Sequence, residues 1–104
     1  MRLDAVERRA LNKALQDVPG HAYLFGSRTR DDARGGDIDV LIASEADAFA
    51  LSRQVAARFF AECEEKLDVV VMSPSHRTPE EQAFFNTLQL IPLAPAPRGA
   101  VEEP

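Results

Sequence analysis

Three aspartates of this chain lie in segments that have the apolar composition of β-strands. Asp37 and Asp39 are two positions apart in the segment DIDVLIA, and Asp68 is the second residue of the segment LDVVVM. In a strand, side chains two positions apart leave the same face of the sheet. If the two strands are neighbours, we expect the three carboxylates to meet near one end of that sheet.

Clustered carboxylates carry a physical cost that indicates what they bind. Like charges repel one another, and burial removes the water that stabilises them. Divalent cations reverse that cost, and hard oxygen ligands suit Mg²⁺. Two such ions about 3.5–4 Å apart activate an attacking and a leaving oxygen. A lone aspartate at a strand end most often caps a turn in solvent, but three in this arrangement predict a metal site at Asp37, Asp39 and Asp68.

The residues before this acidic segment have the chemistry of a phosphate site. Gly26 allows a sharp turn and a close approach of backbone amides to a phosphate, and Ser27 can donate a hydroxyl hydrogen bond to it. Arg28, Arg30 and Arg34 follow, and guanidinium groups match phosphate oxygens in a bidentate way. A turn, an arginine loop and a metal-binding Asp-x-Asp strand are together what a nucleoside triphosphate with Mg²⁺ requires.

Hydrophobic periodicity and turn residues predict the elements that must position these groups. The predicted elements are an amphipathic helix over 3–18, strands over 21–25 and 37–43, a helix from the N-cap Ser44 to about 65, a strand over 67–72, a helix from the capping box at 78–81 to about 88, and an edge strand over 90–93. The loop over 27–36 is expected to open with a helical turn. We therefore expect one α/β domain over residues 1–94 and a loose tail over 95–104.

Neighbouring phenylalanines in the predicted helices indicate a second feature. Phe59 precedes Phe60, and Phe84 precedes Phe85. Because neighbours on a helix diverge by about 100°, the two rings of a pair do not share one core stripe. Either pair can therefore place one ring on an exposed patch that suits a protein partner. The alternative, which we favour, is burial of both rings between helix and sheet.

The composition narrows the classes of partner. The chain has 104 residues, with 12 basic and 17 acidic side chains and a formal net charge of −5. This balance argues against broad binding to a nucleic acid polymer, which needs a cationic face, but allows one nucleotide held through a metal.

Cys63 is the only cysteine, which excludes an intrachain disulfide and a zinc cage of cysteines. The sequence shows no signal peptide or membrane-spanning run, so we expect a soluble, cytoplasmic protein.

The segments FGSR (Phe25–Arg28) and DIDV (Asp37–Val40) resemble the signature of the DNA polymerase beta-like nucleotidyltransferase superfamily, and in particular its minimal nucleotidyltransferase (MNT) domains. The similarity covers about residues 5–93, and its specific part is Leu24–Ala43 with Leu67–Val69. The resemblance implies a polymerase beta-like fold, with a small mixed β-sheet flanked by helices. Two positions depart from many relatives, which have glycine at the position of Asp31 and serine at that of Gly36.

The resemblance also implies a role for each residue of the site. Gly26 and Ser27 would hold the triphosphate of ATP, and Asp37 and Asp39 would hold two magnesium ions. Asp68 matches the third carboxylate of the family, which is a ligand of one metal and the base for the attacking hydroxyl.

Stand-alone MNT proteins resemble the antitoxin half of HEPN–MNT toxin–antitoxin pairs, in which the MNT partner transfers AMP from ATP to a tyrosine of the helical HEPN ribonuclease. The short chain favours this branch, because it has no room for the second helical domain of aminoglycoside nucleotidyltransferases. A complex with a HEPN partner is then expected. Two alternatives stay open: an antitoxin that has lost catalysis and acts by binding only, and a small-molecule nucleotidyltransferase whose acceptor pocket is completed by a partner chain.

Overall fold

The computed structural model of the chain describes residues 3–29 and 37–93, without the side chain of Ser27. Its elements are α1 (Ala5–Ala14), β1 (His21–Phe25), a 3₁₀ turn (Gly26–Thr29), β2 (Ile38–Ala43), α2 (Ala48–Phe60), β3 (Leu67–Met72), α3 (Pro79–Thr87) and β4 (Ile91–Pro92). The predictions made for Arg30, Asp31, Arg34, Gly36 and the tail over 95–104 lie outside the described residues.

The described strands form one mixed sheet in the order β3-β2-β1-β4. The central strand β2 pairs in parallel with β3 and antiparallel with β1, and β1 pairs antiparallel with the short edge strand β4. This arrangement confirms the predicted α/β fold with a small mixed sheet flanked by helices. It also confirms that the two strands carrying the aspartates are neighbours.

The alternation of side chains along β2 divides the core into two layers. Ile38, Val40 and Ile42 are fully buried and pack with residues of α1 and α2. Leu41 faces the other way, where it packs with Phe25 and Met72 and with partly buried residues of the α3 region. The predicted period of two is therefore correct, and α3 covers the sheet face to which Asp39 also belongs.

Two helix boundaries differ from the sequence prediction. Ser44 is not the N-cap of α2, because its backbone N–H still pairs with the carbonyl of Met72 at 2.9 Å and extends the sheet. The cap is Asp47, whose carboxylate accepts a hydrogen bond from Ala50 N at 2.8 Å. α2 ends at Phe60 and not near 65, where several glutamates would oppose the negative end of the helix dipole.

The first helix is also shorter than the predicted 3–18. Asp4 caps its N-terminus in a capping box with Glu7, and the helix ends at Ala14. The chain then reaches Asp17, whose φ of 62° is left-handed and incompatible with a continued helix. Leu15 and Val18 are nevertheless buried in the core.

The second half of the chain follows the prediction closely. β3 has the predicted bounds, and Thr78 forms the expected capping box with Glu81 at the start of α3. The edge strand is limited to Ile91–Pro92, consistent with the missing N–H of proline. No helix in the described ranges is long and apolar enough to cross a bilayer.

Each pair of phenylalanines separates into a more buried and an exposed ring. Phe59 is fully buried and Phe60 is 47% exposed, while Phe84 is 40% exposed and Phe85 is half-buried. The favoured expectation that both rings of each pair are buried is therefore wrong. The cause is the angle of about 100° between neighbouring helical positions, which gives each helix one ring outside its core stripe.

The two rings on α2 provide a matched test of this packing. We expect Phe59→Ala to lower the free energy of unfolding by about 3–5 kcal/mol, because it opens a cavity in the layer shared by α1 and α2. Phe60→Ala removes a ring that contacts Phe59 edge-on at 5.8 Å between centroids, and we expect a cost below about 1.5 kcal/mol. Urea unfolding of both variants measures the difference, and equal costs would contradict the assigned core.

Candidate active site

The parallel pairing of β2 with β3 brings the predicted acidic residues together. Asp39 and Asp68 are register partners, so their Cα atoms lie directly across the strand pair. Asp37 immediately precedes β2, whose first N–H, on Ile38, donates to the carbonyl of Lys66 at 3.1 Å. The three aspartates therefore gather at the end of the sheet where β2 and β3 begin.

The turn after β1 lies against this acidic group. Phe25, the last residue of β1, pairs with Asp39, so Gly26 follows directly beside that aspartate. Gly26 has a φ of 79°, and a Cβ at this position would collide with the Oδ2 atom of Asp39. Only glycine satisfies both conditions at low cost. Thr29 closes the turn by donating from its hydroxyl to the carbonyl of Gly26 at 2.7 Å.

The electrostatics of Asp39 reflect its surroundings. Burial raises the pKa of the Asp39 carboxyl, and the charges of Asp68 and Asp37 and a hydrogen bond with Asp68 raise it further. Asp68 itself is exposed, and the Asp37 side chain is 42% exposed. Lys66 lies 3.7 Å from Asp37, but both partners are solvated, so this ion pair contributes little to stability.

The acidic group fits a hard cation by its donor chemistry. Within residues 3–29 and 37–93, no three His, Cys, Asp or Glu side chains are already arranged as a group that could hold a metal ion. Asp37, Asp39 and Asp68 nevertheless supply oxygen donors of the type that Mg²⁺ prefers. A divalent cation would also remove the repulsion that raises the pKa of Asp39. By donor type, though not by their present arrangement, these carboxylates therefore suit a divalent cation.

Arg28, a predicted nucleotide ligand, has a partner that the sequence prediction missed. Its Nη1 atom donates to Oε1 of Glu7 at 2.9 Å, and the two side chains are only 8% and 6% exposed. This hydrogen bond raises the pKa of Arg28 above its usual value. Arg28 thus ties the turn that begins at Gly26 to helix α1, and its role in nucleotide binding stays a prediction.

Glu7 was detectable from the sequence by its position. It lies on the helix face shared by Leu3, Ala10 and Ala14, where a charged side chain needs a buried partner. In the structure its Oε1 atom accepts hydrogen bonds both from the N–H of Asp4 and from Arg28. Glu7 therefore caps the start of α1 and also connects this helix to the turn after β1.

A separate polar cluster around Glu45 lies at the opposite end of the sheet, where β2 and β3 finish. Glu45 accepts hydrogen bonds from the hydroxyls of Ser73, at 2.6 Å, and Ser75, and these bonds lower the pKa of Glu45 to about 2. A cavity of about 440 Å³ adjoins Glu45 and includes His21 and Pro74 in its lining. None of the predicted site residues that the structure describes lines it, and this end of the sheet is opposite to that of the three aspartates.

Comparison with known protein families shows the family to which this chain belongs. The sequence profile of the nucleotidyltransferase domain family matches residues 7–91, which include Glu7, the Gly26 turn and all three aspartates. The chain belongs to the nucleotidyltransferase domain family. No curated protein matches it significantly. Membership of this family supports a general nucleotidyl transfer activity, so the domain is classed as a transferase.

The buried ion pair of the nucleotidyltransferase domain can be tested with an Arg28 variant and with a double variant that also changes Glu7. We expect Arg28→Met to lower the free energy of unfolding by about 3–5 kcal/mol, because it leaves the Glu7 carboxylate buried and unpaired. Adding Glu7→Gln removes that charge and keeps an acceptor for Asp4, so the double variant should recover most of the loss. Urea unfolding measures both, and a stable Arg28→Met variant would contradict the assigned role.

The raised pKa of Asp39 predicts a pH-dependent stability. A carboxyl whose pKa is higher in the folded state than in the unfolded state loses its proton more readily on unfolding. The fold therefore becomes less stable as pH rises from the unfolded-state pKa to the folded-state pKa. Without divalent ions, Asp39→Asn should therefore gain stability relative to the parent between pH 4 and pH 8. Denaturation midpoints in a chelator across that range measure the gap. A gap that does not change with pH would contradict the assigned surroundings of Asp39.

Proposed function

We propose that this nucleotidyltransferase domain is an antitoxin that transfers AMP from ATP, with Mg²⁺, to a tyrosine hydroxyl of a partner HEPN ribonuclease. The observation that carries the transfer chemistry is the register of Asp39 with Asp68 beside the Gly26 turn. The family match supports nucleotidyl transfer in general. The choice of ATP, of Mg²⁺ and of a HEPN tyrosine rests on the resemblance of the FGSR and DIDV segments to MNT domains.

The proposed site has two groups of residues, one that would bind the metal ions and one that would bind the triphosphate. Asp37, Asp39 and Asp68 would bind Mg²⁺, as two ions, and the bound cations would neutralise charge on the triphosphate. Gly26 presents backbone without a side chain against the Asp39 carboxylate, and its amide is proposed to approach the triphosphate beside that carboxylate. Ser27 is proposed to hold the triphosphate, and Arg30 to add positive charge beside it.

The family resemblance assigns Asp68 the role of base, and its exposure supports that role. Of the two register partners, Asp39 is half-buried and Asp68 is exposed, so an acceptor hydroxyl from another protein can reach Asp68. Asp68 takes the proton of that hydroxyl, whose oxygen attacks the α-phosphorus. The bond from the α-phosphorus to the bridging oxygen breaks, and pyrophosphate leaves with that oxygen. Positioning and charge neutralisation supply the catalysis.

The transfer reaction is tested with α-labelled ATP, Mg²⁺ and the partner protein. We expect Asp37→Asn and Asp39→Asn each to abolish labelling of the partner while the fold remains intact, because each removes a charged oxygen donor. Asp47→Asn is the matched control, since Asp47 is the exposed cap of α2 and asparagine caps a helix about as well as aspartate. Labelling at the parent level by either site variant would contradict the proposal.

Two further readouts separate the alternatives. In cells that express the partner toxin, the variant with all three aspartates replaced by asparagine should fail to neutralise it. Neutralisation by that variant would show an antitoxin that acts by binding only, and label on a small acceptor instead of the partner would show a small-molecule transferase.

Mg²⁺ should also raise the unfolding temperature of the parent and not that of Asp39→Asn.

A further inference from the structure

Helix α3 places an aromatic ring beside the candidate site. The ring of Phe84 contacts the ring of Phe25 edge-on, with 6.1 Å between centroids and an interplanar angle of 88°. Phe25 ends β1 and is the register partner of Asp39. Directly opposed residues of an antiparallel pair share one face of the sheet. Phe84 therefore lies over the same sheet face as the Asp39 carboxylate, close to the start of the Gly26 turn.

Phe84 is available to a ligand, unlike its neighbour Phe85. Arg77 covers the Phe85 ring at 4.0 Å from its centroid, and Phe85 packs against the cluster of Phe25, Leu41 and Met72. Phe84 has only its edge contact with Phe25 among the ring contacts seen in the described residues, and it is 40% exposed.

The other exposed large apolar side chains of the described residues lie elsewhere. They are Val6 on α1 and Phe49 and Phe60 on α2, and these two helices cover the opposite face of the sheet. Arg53 additionally covers the Phe49 ring at 5.4 Å. Within the described part of the chain, Phe84 is thus the exposed ring on the face of the aspartates.

The strand order indicates which substrate this ring meets. Asp39 on β2 separates Asp68 on β3 from Phe25 and the Gly26 turn on β1. The proposed base Asp68 places the acceptor hydroxyl on the β3 side. The phosphate-holding turn places the nucleotide on the β1 side, where Phe84 lies.

We propose that the Phe84 ring is the stacking surface for the nucleobase of the triphosphate held at the Gly26 turn, an inference that rests on the proposed function. A nucleobase is flat and has a π-face, so an exposed aromatic ring can stack on it without a charged partner. Stacking on an aromatic side chain tolerates every base, because each base has a π-face. Phe84 then adds affinity for the nucleoside and little discrimination among bases.

The test compares a ligand that has a base with one that has none. Isothermal titration with Mg²⁺ measures binding of α,β-methylene-ATP, whose α-phosphorus does not transfer, and of tripolyphosphate. We expect Phe84→Ala to weaken binding of the nucleotide about 5-fold or more and to leave binding of tripolyphosphate unchanged. Phe84→Tyr keeps an aromatic face and should bind both as the parent does.

Controls separate stacking from damage to the fold. Phe60→Ala removes a ring of similar exposure from the opposite layer and should change binding of neither ligand. Phe84→Leu keeps an apolar side chain on α3 if Phe84→Ala proves unstable in thermal unfolding, and it should also lose affinity for the nucleotide alone.

The remaining outcomes contradict either the stacking role of Phe84 or the proposed function of the domain. If a folded Phe84 variant weakens both ligands equally, or neither, the stacking role is wrong. If it binds the nucleotide normally but labels the partner protein poorly, the ring serves the acceptor and the stacking role is again wrong. If the parent binds neither ligand in the presence of Mg²⁺, the proposed function itself fails together with the inference.

Discussion

The parallel pairing of β2 with β3 is the constraint on which the candidate site depends. It sets Asp39 directly across from Asp68 and puts like charges on adjacent strands, which is unfavourable for the fold by itself. The same strand supplies the compensation, because Ile38, Val40 and Ile42 on its other face are fully buried against α1 and α2. One face of β2 is therefore buried in the core, and the other carries the candidate site.

Two carboxylates at opposite ends of this sheet show how surroundings shift the pKa of an acid in opposite directions. Hydroxyl groups of Ser73 and Ser75 satisfy Glu45, and its pKa falls to about 2. Asp39 meets burial and other carboxylates, and its pKa rises. Glu45 connects the loops after β2 and β3 through exposed hydrogen bonds to Ser73 and Ser75. Asp39 is partly buried beside two other carboxylates, and a bound cation would reduce their mutual repulsion.

The fold was more predictable than the contacts that complete the site. Local patterns were sufficient for β3 and for the capping box at Thr78, because these depend on residues close in sequence. The local sequence predicts Ser44 as a helix cap, but its N–H pairs with the carbonyl of Met72 in β3, a contact between strands that no local pattern indicates. The position of Arg28 after the Gly26 turn predicts a phosphate contact, but its partner Glu7 is 21 positions away in the chain and no local pattern predicts that pairing. The meeting of Asp39 with Asp68 was conditional on a strand pairing that the sequence did not determine.

The Glu7–Arg28 pair explains how a loose polar turn acquires a defined position. A buried ion pair adds little net stability, since desolvation of both charges offsets their attraction, but losing one partner is costly. Such a pair favours one placement of the turn over all those in which either charge is left buried alone. Gly26 lies two residues before Arg28 and has no Cβ to separate the turn from Asp39. The ion pair therefore fixes the turn from the α1 side while backbone pairing fixes the aspartates from the sheet side, and the candidate phosphate site lies where these two restraints meet.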